Sequence, residues 1–464
     1  MYPIVLLSVL GIVILFLGFL KSKNILLPAT LLFLAIALAG NFVEWNEGPI
    51  LYFYNMMAVN NITLAFNAIV LVSAFMIVAM TRGFQDNDEA QPAEYYGIMV
   101  FSLVGAFMMI GFENLIMLFL GLEILSVSMY VLTGSDKRNL RSNEAALKYF
   151  LMGAFATGIL LFGIALIYGA TSSFSLTEIQ SFVSLNQRFP SYLLYAGLML
   201  MLIGMLFKVS AAPFHFWTPD VYDGAPTIFT AFMSTVVKTA GFAAIFRLLS
   251  HSFTGIYDFW WLTLAVITVL TLLVGNIIAV YQDSFKRMLA YSSISHAGYL
   301  LIALTSMTAQ TENSILFYSM AYSVATICAF GVLIPITQEK TMAGQPNETF
   351  GAFNGLAKNN PMLAFVLTVS MLSLAGIPLT AGFWGKFFVF SSAVERGLVW
   401  LIVVAVLMSA VGIYYYFKVI IAAYMKEGDT VKIRVAPFYQ IVLITATVIT
   451  LLFGLAPGLF ESIL

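Results

Sequence analysis

Residues 114–133 read NLIMLFLGLEILSVSMYVLT, an apolar run of membrane-spanning length with a single acidic residue, Glu123, near its middle. About 20 mainly apolar residues cross a bilayer as a helix. An ionisable side chain at the centre of such a helix costs roughly 2.5–3.5 kcal/mol on insertion scales, and membrane proteins keep such groups mainly along ion and proton paths. The stretch therefore points both to an architecture, helices in lipid, and to a chemistry, charge held at bilayer depth.

Runs of the same kind lie on both sides, at residues 4–20, 25–40, 57–81, 95–111, 145–169, 192–217, 226–249, 259–280, 288–308, 313–337, 361–391, 397–424 and 437–460. With 114–133 they predict an all-α polytopic membrane protein of about fourteen transmembrane helices. Composition agrees: 61% of the 464 residues are hydrophobic and 9% charged, against about 25% charged in soluble domains. The longest polar connections, 82–94, 170–191 and 338–360, read as loops. The apolar start is followed, not preceded, by Lys21 and Lys23, the reverse of a cleaved signal peptide, so it reads as a retained first span. Nothing in the charge pattern suggests nucleic acid. Lone Cys328 reads as a small buried hydrophobe, and three scattered histidines make no metal site.

Alternate connections carry Lys21, Lys23, Arg82, Lys137, Arg138, Arg141, Lys286, Arg287, Lys340, Lys358, Lys426, Lys432 and Arg434; the opposite ones carry Arg188, Arg247 and Arg396. Basic loops face the cytoplasm, and an even number of spans then places both termini outside, on the periplasmic face of a bacterial inner membrane.

Removing loop charges leaves Glu123, Lys208, Lys238 and Lys386 within spans, with Lys148 and Lys418 nearer span ends. A purely structural ion pair would account for Glu123 and one lysine, not for three lysines against one carboxylate. Lysine suits a proton relay because burial disfavours its charged form while a nearby carboxylate favours it; motion of Glu123 relative to Lys208 would load and release a proton. Lys148 fits proton uptake and interfacial snorkelling equally; Lys418, after three tyrosines, reads as an interface anchor. Glu113, in a tight turn, reads as solvated, and Asp220 and Asp223 as turn residues or a proton funnel. His296, in the polar strip SSISHAGY, is a relay or a packed histidine, His215 beside a helix break favours relay, and His251 reads as surface.

Pro213 in SAAPFHFW and Pro378 in SLAGIPLTAGFW should interrupt their helices mid-membrane, each near a buried lysine. The breaks lie five spans apart, so their segments run in opposite directions, as in inverted repeats with interrupted helices at the transport site. The chain is accordingly divided into residues 1–94 (helices 1–3), 95–250 (first repeat, helices 4–8), 251–425 (second, inverted repeat, helices 9–13) and 426–464 (helix 14).

These residues also carry a family resemblance. LFLGLEILSVSMYVL (118–132), FKVSAAPFHFWTPDVYDGAPTIFTAFMSTVVKTAGF (207–242), KRMLAYSSISHAGYLLI (286–302) and LSLAGIPLTAGFWGKF (372–387) resemble the N-type antiporter-like membrane subunits of NADH–quinone oxidoreductase, respiratory complex I, over nearly the whole chain. Lys386 departs from the M type, which has a glutamate there. The resemblance implies that Glu123 gates the pair, that Lys208 sits on the broken seventh helix, that Lys238 connects, and that Lys386 serves the exit half-channel. Lys148 and His296 would be polar members of the same axis. It further implies proton translocation from cytoplasm to periplasm, with FMN, iron–sulfur clusters and quinone held by partner subunits and no redox cofactor in this chain. Partners would be neighbouring antiporter-like and small membrane subunits within the lipid bilayer. A subunit of a multisubunit cation/proton antiporter, or a non-transporting scaffold, is the alternative.

Overall fold

The protein is described here from a computed structural model, covering residues 2–81, 91–186, 191–339, 341–342, 345–428 and 432–461. Arg82, Arg188 and Lys340, used above for orientation, lie outside the described residues. The helices in chain order are α1 (Tyr2–Leu17), α2 (Leu26–Asn41), α3 (Asn61–Ala79), α4 (Pro92–Gly111), α5 (Leu115–Thr133), α6 (Leu140–Thr171), α7 (Leu176–Leu185), α8 (Tyr192–Lys208), α9 (Trp217–Gly224), α10 (Thr227–Phe232), α11 (Lys238–Ser252), α12 (Tyr257–Val280), α13 (Phe285–Ser306), α14 (Thr311–Glu339), α15 (Leu356–Asn359), α16 (Pro361–Ala375), α17 (Ala381–Glu395), α18 (Val399–Met425), α19 (Pro437–Leu455) and α20 (Gly458–Glu461). Among the described residues, eleven helical segments are long and apolar enough to cross a membrane, and α1, α8 and α16 are shorter apolar helices. Among the described residues, strands form two small hairpins, β1 (Ile50–Tyr52) with β2 (Met57–Val59), and β3 (Thr341–Met342) with β4 (Gln345–Pro346).

Local chemistry sets the helix ends. Asn60, Asn114 and Asn139 accept hydrogen bonds from the backbone amides of Thr63, Ile116 and Arg141, satisfying first-turn donors that lipid could not. Proline opens α4, α16 and α19, where its missing N–H costs nothing. At the other end of α16, Gly376 adopts φ +82° and donates to Leu372 O at 3.0 Å, closing the helix.

The chain divides into two compact units. One comprises Met1–Ser210 and Val236–Leu264, the other Ala211–Thr235 and residues 265–463. In the first, α4 packs on α5 and α6 on α8. Gly163 and Gly197 let α6 and α8 nearly touch: a Cβ on Gly163 would lie 2.7 Å from Gly197 O. Small residues at such crossings are how helices pack where the solvent offers no hydrophobic drive. Large apolar side chains on α6, such as Phe155 and Phe162, stay exposed, as a lipid-facing surface requires. In the second unit α13 and α14 are almost wholly buried, while α18 turns most of its apolar surface outward.

The connection 170–191, read as a loop, contains α7. Leu176, Ile179 and Val183 recur at helical spacing on its buried face, while polar residues occupy the rest, so it is amphipathic and too short to span. Its amide at Leu176 donates to Glu113 O at 3.0 Å, tying it to the α4–α5 turn.

Candidate functional site

Glu123, Ser126 and Tyr130 lie at i, i+3 and i+7 on α5 and therefore share one face. Lys208, the last residue of α8, is 3% exposed. Its Nζ donates to Ser126 Oγ at 2.8 Å and to Tyr149 OH, on α6, at 3.4 Å. The Tyr149 ring is wholly buried and meets the Tyr130 ring edge-on at 4.7 Å. Tyr130 also reaches the Ser126 side chain. Glu123 is half-buried and close enough to act on Lys208 through space, yet the contact the ammonium makes is with hydroxyls. Lys208 is thus held one helical turn from its carboxylate, an arrangement from which a small movement would make or break the pair.

The helix stops at Lys208 because the chain cannot continue through Pro213. Ser210 takes φ +65°, the Ala212–Pro213 peptide is cis, and α9 begins only at Trp217. Ala212 N–H is satisfied by Thr271 Oγ1 at 2.9 Å. Exposed backbone inside a membrane protein needs such partners. His215 lies in this break, 7% exposed, its ring 4.5 Å from that of Phe216, with Nδ1 making no hydrogen bond among the described residues. Lys238 is 3% exposed and opens α11 directly after a π-helical turn, Met233–Val237. Such turns widen a helix locally and recur at functional sites.

In the second unit, α16 ends at Ala375 and α17 begins at Ala381, with Pro378 between them. Lys386, 7% exposed, donates to the freed carbonyl of Ala375 at 2.7 Å and to Ser409 Oγ at 2.8 Å, and lies 4.6 Å from the centre of the Tyr299 ring. His296 sits between two tyrosines: Nδ1 is 2.7 Å from Tyr318 OH and Nε2 3.1 Å from Tyr416 OH, which in turn is 2.5 Å from Ser292 Oγ. A cavity of about 10 Å³, lined by His296, Tyr318, Tyr322 and Ser373, adjoins it; that is room for about one water. Tyr322 reaches Ser293, and Ser293 Oγ is 3.5 Å from Tyr222 OH on α9.

Glu113 lies elsewhere than the sequence suggested, and other charges find partners. Glu113 is 7% exposed, not solvated: Arg247 Nη2 donates to its carboxylate at 2.5 Å and Nε to Phe112 O at 2.5 Å. The fold closes the turn under α11, so the pair is buried, and His251 Nε2 stands 3.9 Å from the same carboxylate. Asp220 and Asp223 face Arg287 at 3.2 and 3.7 Å. Lys286, 3% exposed, donates to Asp223 O, Ala225 O and Glu348. Lys148 pairs with Glu144 one turn away at 2.8 Å, and Lys418 pairs with Asp283 at 3.6 Å above the Phe350 ring. Cys328 is buried. No cluster able to hold a metal occurs among the described residues.

Sequence reasoning missed the hydroxyls: Ser126, Tyr130, Tyr149, Tyr318, Tyr416 and Ser409. The i, i+3, i+7 spacing from Glu123 could have flagged Ser126 and Tyr130; the others come from helices distant in sequence.

The family model described as NADH:quinone oxidoreductase/Mrp antiporter, TM, matches residues 113–412. NADH-quinone oxidoreductase subunit N of Flavobacterium psychrophilum is 39% identical, with 100% of each chain covered. That of Trichlorobacter lovleyi is 44% identical over 92% of this chain and 87% of its own length. Among solved structures, a chain of respiratory complex I from Thermus thermophilus shares 35% identity at TM-score 0.85, covering 98% of each chain. A chain of the Mrp complex from Dietzia, at 18% identity and TM-score 0.86 over 99% of this chain and 96% of its own, shares the fold. The chain therefore belongs to the antiporter-like membrane proteins of the NADH:quinone oxidoreductase/Mrp family, and within it to the subunit N group of the oxidoreductase of respiratory complex I.

Proposed function

We propose that this chain carries protons from cytoplasm to periplasm across a bacterial inner membrane, driven by NADH oxidation and quinone reduction in partner subunits of the complex. The observation that supports it most is the company its buried lysines keep. Lys208 rests on Ser126 and Tyr149, and Lys386 on Ala375 O and Ser409. Neither makes a carboxylate pair among the described residues. Lysines kept only as structural glue would be neutralised by carboxylates, because breaking a buried pair leaves an uncompensated charge. A lysine that holds a hydroxyl can give up and regain a proton along a hydrogen bond already in place, Lys208 through Ser126 and Tyr149 and Lys386 through Ser409.

In this reading fourteen crossings, two of them interrupted, form two inverted five-helix repeats within residues 95–250 and 251–425. Lys208 takes a proton when Glu123 approaches and releases it when Glu123 withdraws. Lys238 passes it on, His296 receives it with His215 and Lys148 in supporting roles, and Lys386 delivers it to the outside. FMN, iron–sulfur clusters and quinone belong to partner subunits, and neighbouring antiporter-like and small membrane subunits flank this one.

The test is proton pumping and NADH–quinone turnover in membrane vesicles carrying Lys208→Ala, with assembly of the complex verified. Pumping should fall by about tenfold or more. Unchanged pumping in an assembled complex would reduce the buried lysines to structural groups and the chain to a scaffold.

A further inference from the structure

The first two helices frame an apolar groove with a polar end. Tyr2, Val5 and Val9 recur at helical spacing on one face of α1, and Ile36, Gly40 and Val43 do so along α2 and just past its end. Both helices pack through other faces. α1 buries Leu7 and Ile14, with Gly11 set close against Phe101 of α4, and Asn41 at the end of α2 donates to Leu64 O of α3 at 2.8 Å. The two stripes line a cavity of about 810 Å³, within the range of about 300–1,000 Å³ typical of small-molecule sites. Val5, Val9, Ile36 and Val43 remain exposed along it, and Gly40 keeps it open: a Cβ there would meet no described atom within 4 Å. Glu44 closes one end, 3% exposed and accepting from Tyr52 OH at 2.6 Å. Glu47, one turn on, is exposed, its amide donating to Glu44 O at 3.4 Å. Between Asn24 and Thr81 the sequence holds no other charged side chain.

A helix face turned to bulk lipid is convex and apolar throughout. This surface is concave, and it ends in carboxylates. From Tyr2 to Val9 the stripe rises about 10 Å at 1.5 Å per residue, which is about two-thirds of the hydrocarbon depth of one leaflet. Tyr2 and Tyr52 line the polar end, and tyrosine gathers where a membrane meets water. The apolar stripe therefore lies at acyl-chain depth and Glu44 and Glu47 at headgroup depth. We infer that the groove binds one ethanolamine phospholipid, its acyl chain lying between α1 and α2 and its ammonium held at Glu44 and Glu47. Two carboxylates attract that ammonium and repel a headgroup that carries net negative charge. A primary ammonium also has three N–H donors for charge-assisted hydrogen bonds to carboxylate oxygens, which the trimethylammonium of a choline lipid lacks. The site is separate from the lysine path and does not depend on it.

The test uses the assembled complex in nanodiscs containing phosphatidylethanolamine with a photoactivatable acyl chain, the cross-linked peptides being mapped by mass spectrometry. Cross-links should concentrate on residues 2–9 and 36–43. Unlabelled phosphatidylethanolamine should displace them at about tenfold lower concentration than phosphatidylglycerol, the equivalent of one hydrogen bond to a charged group. Gly40→Leu, which fills the groove, should abolish these cross-links and leave those on the outward-facing α18 unchanged. Glu44→Gln combined with Glu47→Gln should keep the cross-links and erase the headgroup preference. Cross-links no denser on α1 and α2 than on α18, or unaffected by Gly40→Leu, would reduce the groove to ordinary contact with bulk lipid and overturn the inference. Equal displacement by both lipids in the wild type would overturn the headgroup assignment. Absence of cross-links from the wild-type groove would mean that a neighbouring subunit fills it, and would overturn the site. If Gly40→Leu fails to assemble, the wild-type competition and the paired glutamine variant decide the matter by the same criteria.

Discussion

The two helix breaks solve one problem in two ways. At the first, Lys208 precedes the gap as the final residue of its helix and is held by side-chain hydroxyls, Ser126 and Tyr149. At the second, Lys386 follows the gap, within α17, and takes as a partner a carbonyl, Ala375 O, that the break itself releases. The first lysine can thus be loosened by changing its neighbours, whereas the second is tied to the backbone. The turn residues do not separate them: the first break holds a left-handed Ser210 at φ +65°, whose buried hydroxyl has no partner among the described residues, and the second holds Gly376 at φ +82° and a left-handed Leu379 at φ +75°. The first is side-chain-dependent and the second backbone-dependent. That contrast suits a lysine that must answer a moving glutamate and one that must release protons from a fixed position.

The sharpest way to break the comparison is Gly376→Ala. A left-handed backbone costs a non-glycine residue about 1–2 kcal/mol, and here the new Cβ would lie 2.7 Å from Lys386 Cδ. Thermal unfolding of the purified complex should show a loss of about 2 kcal/mol or more, with Lys386 displaced and pumping reduced. A neutral outcome would mean that the second break is as adaptable as the first.

Ser126→Ala probes the first break more gently. It removes the closest partner of Lys208 but leaves Tyr149, so pumping should fall only a few-fold, the equivalent of the about 1 kcal/mol that one hydrogen bond typically contributes. Equal pumping in variant and wild type would show that the hydroxyl does not position Lys208.

The smallest effect belongs to Ser210→Gly. Relief of the left-handed strain and of an unpaired buried hydroxyl offsets the greater flexibility of glycine, so stability should change by less than about 1 kcal/mol, in the favourable direction. A clear loss of stability would show that Ser210 has a partner the comparison overlooks.

Much of this was legible in the sequence because lipid makes charge conspicuous. Lys208, Lys238, Lys386 and Glu123 stand out because they lie deep within apolar runs, far from either end, and Pro213 and Pro378 because a prolyl ring cannot sit inside an uninterrupted helix. The supporting hydroxyls were hidden for the opposite reason: serine and tyrosine are ordinary in membrane helices, and the partner of Lys208 on α5 is 82 residues away in sequence. The Arg247–Glu113 pair was misread because a charge at a tight turn is usually wet. Only the fold, which brings residues 134 positions apart together, makes it dry. The helix α7 was lost among polar residues because a ten-residue amphipathic helix resembles a loop when the search is for spans.

The measurement that bears most directly on the central claim is the number of protons pumped per NADH oxidised by assembled complexes carrying Lys208→Ala. Proton carriage through buried lysines predicts that pumping falls by about tenfold or more while the complex remains whole. A wild-type ratio, with wild-type turnover and full assembly, would contradict it.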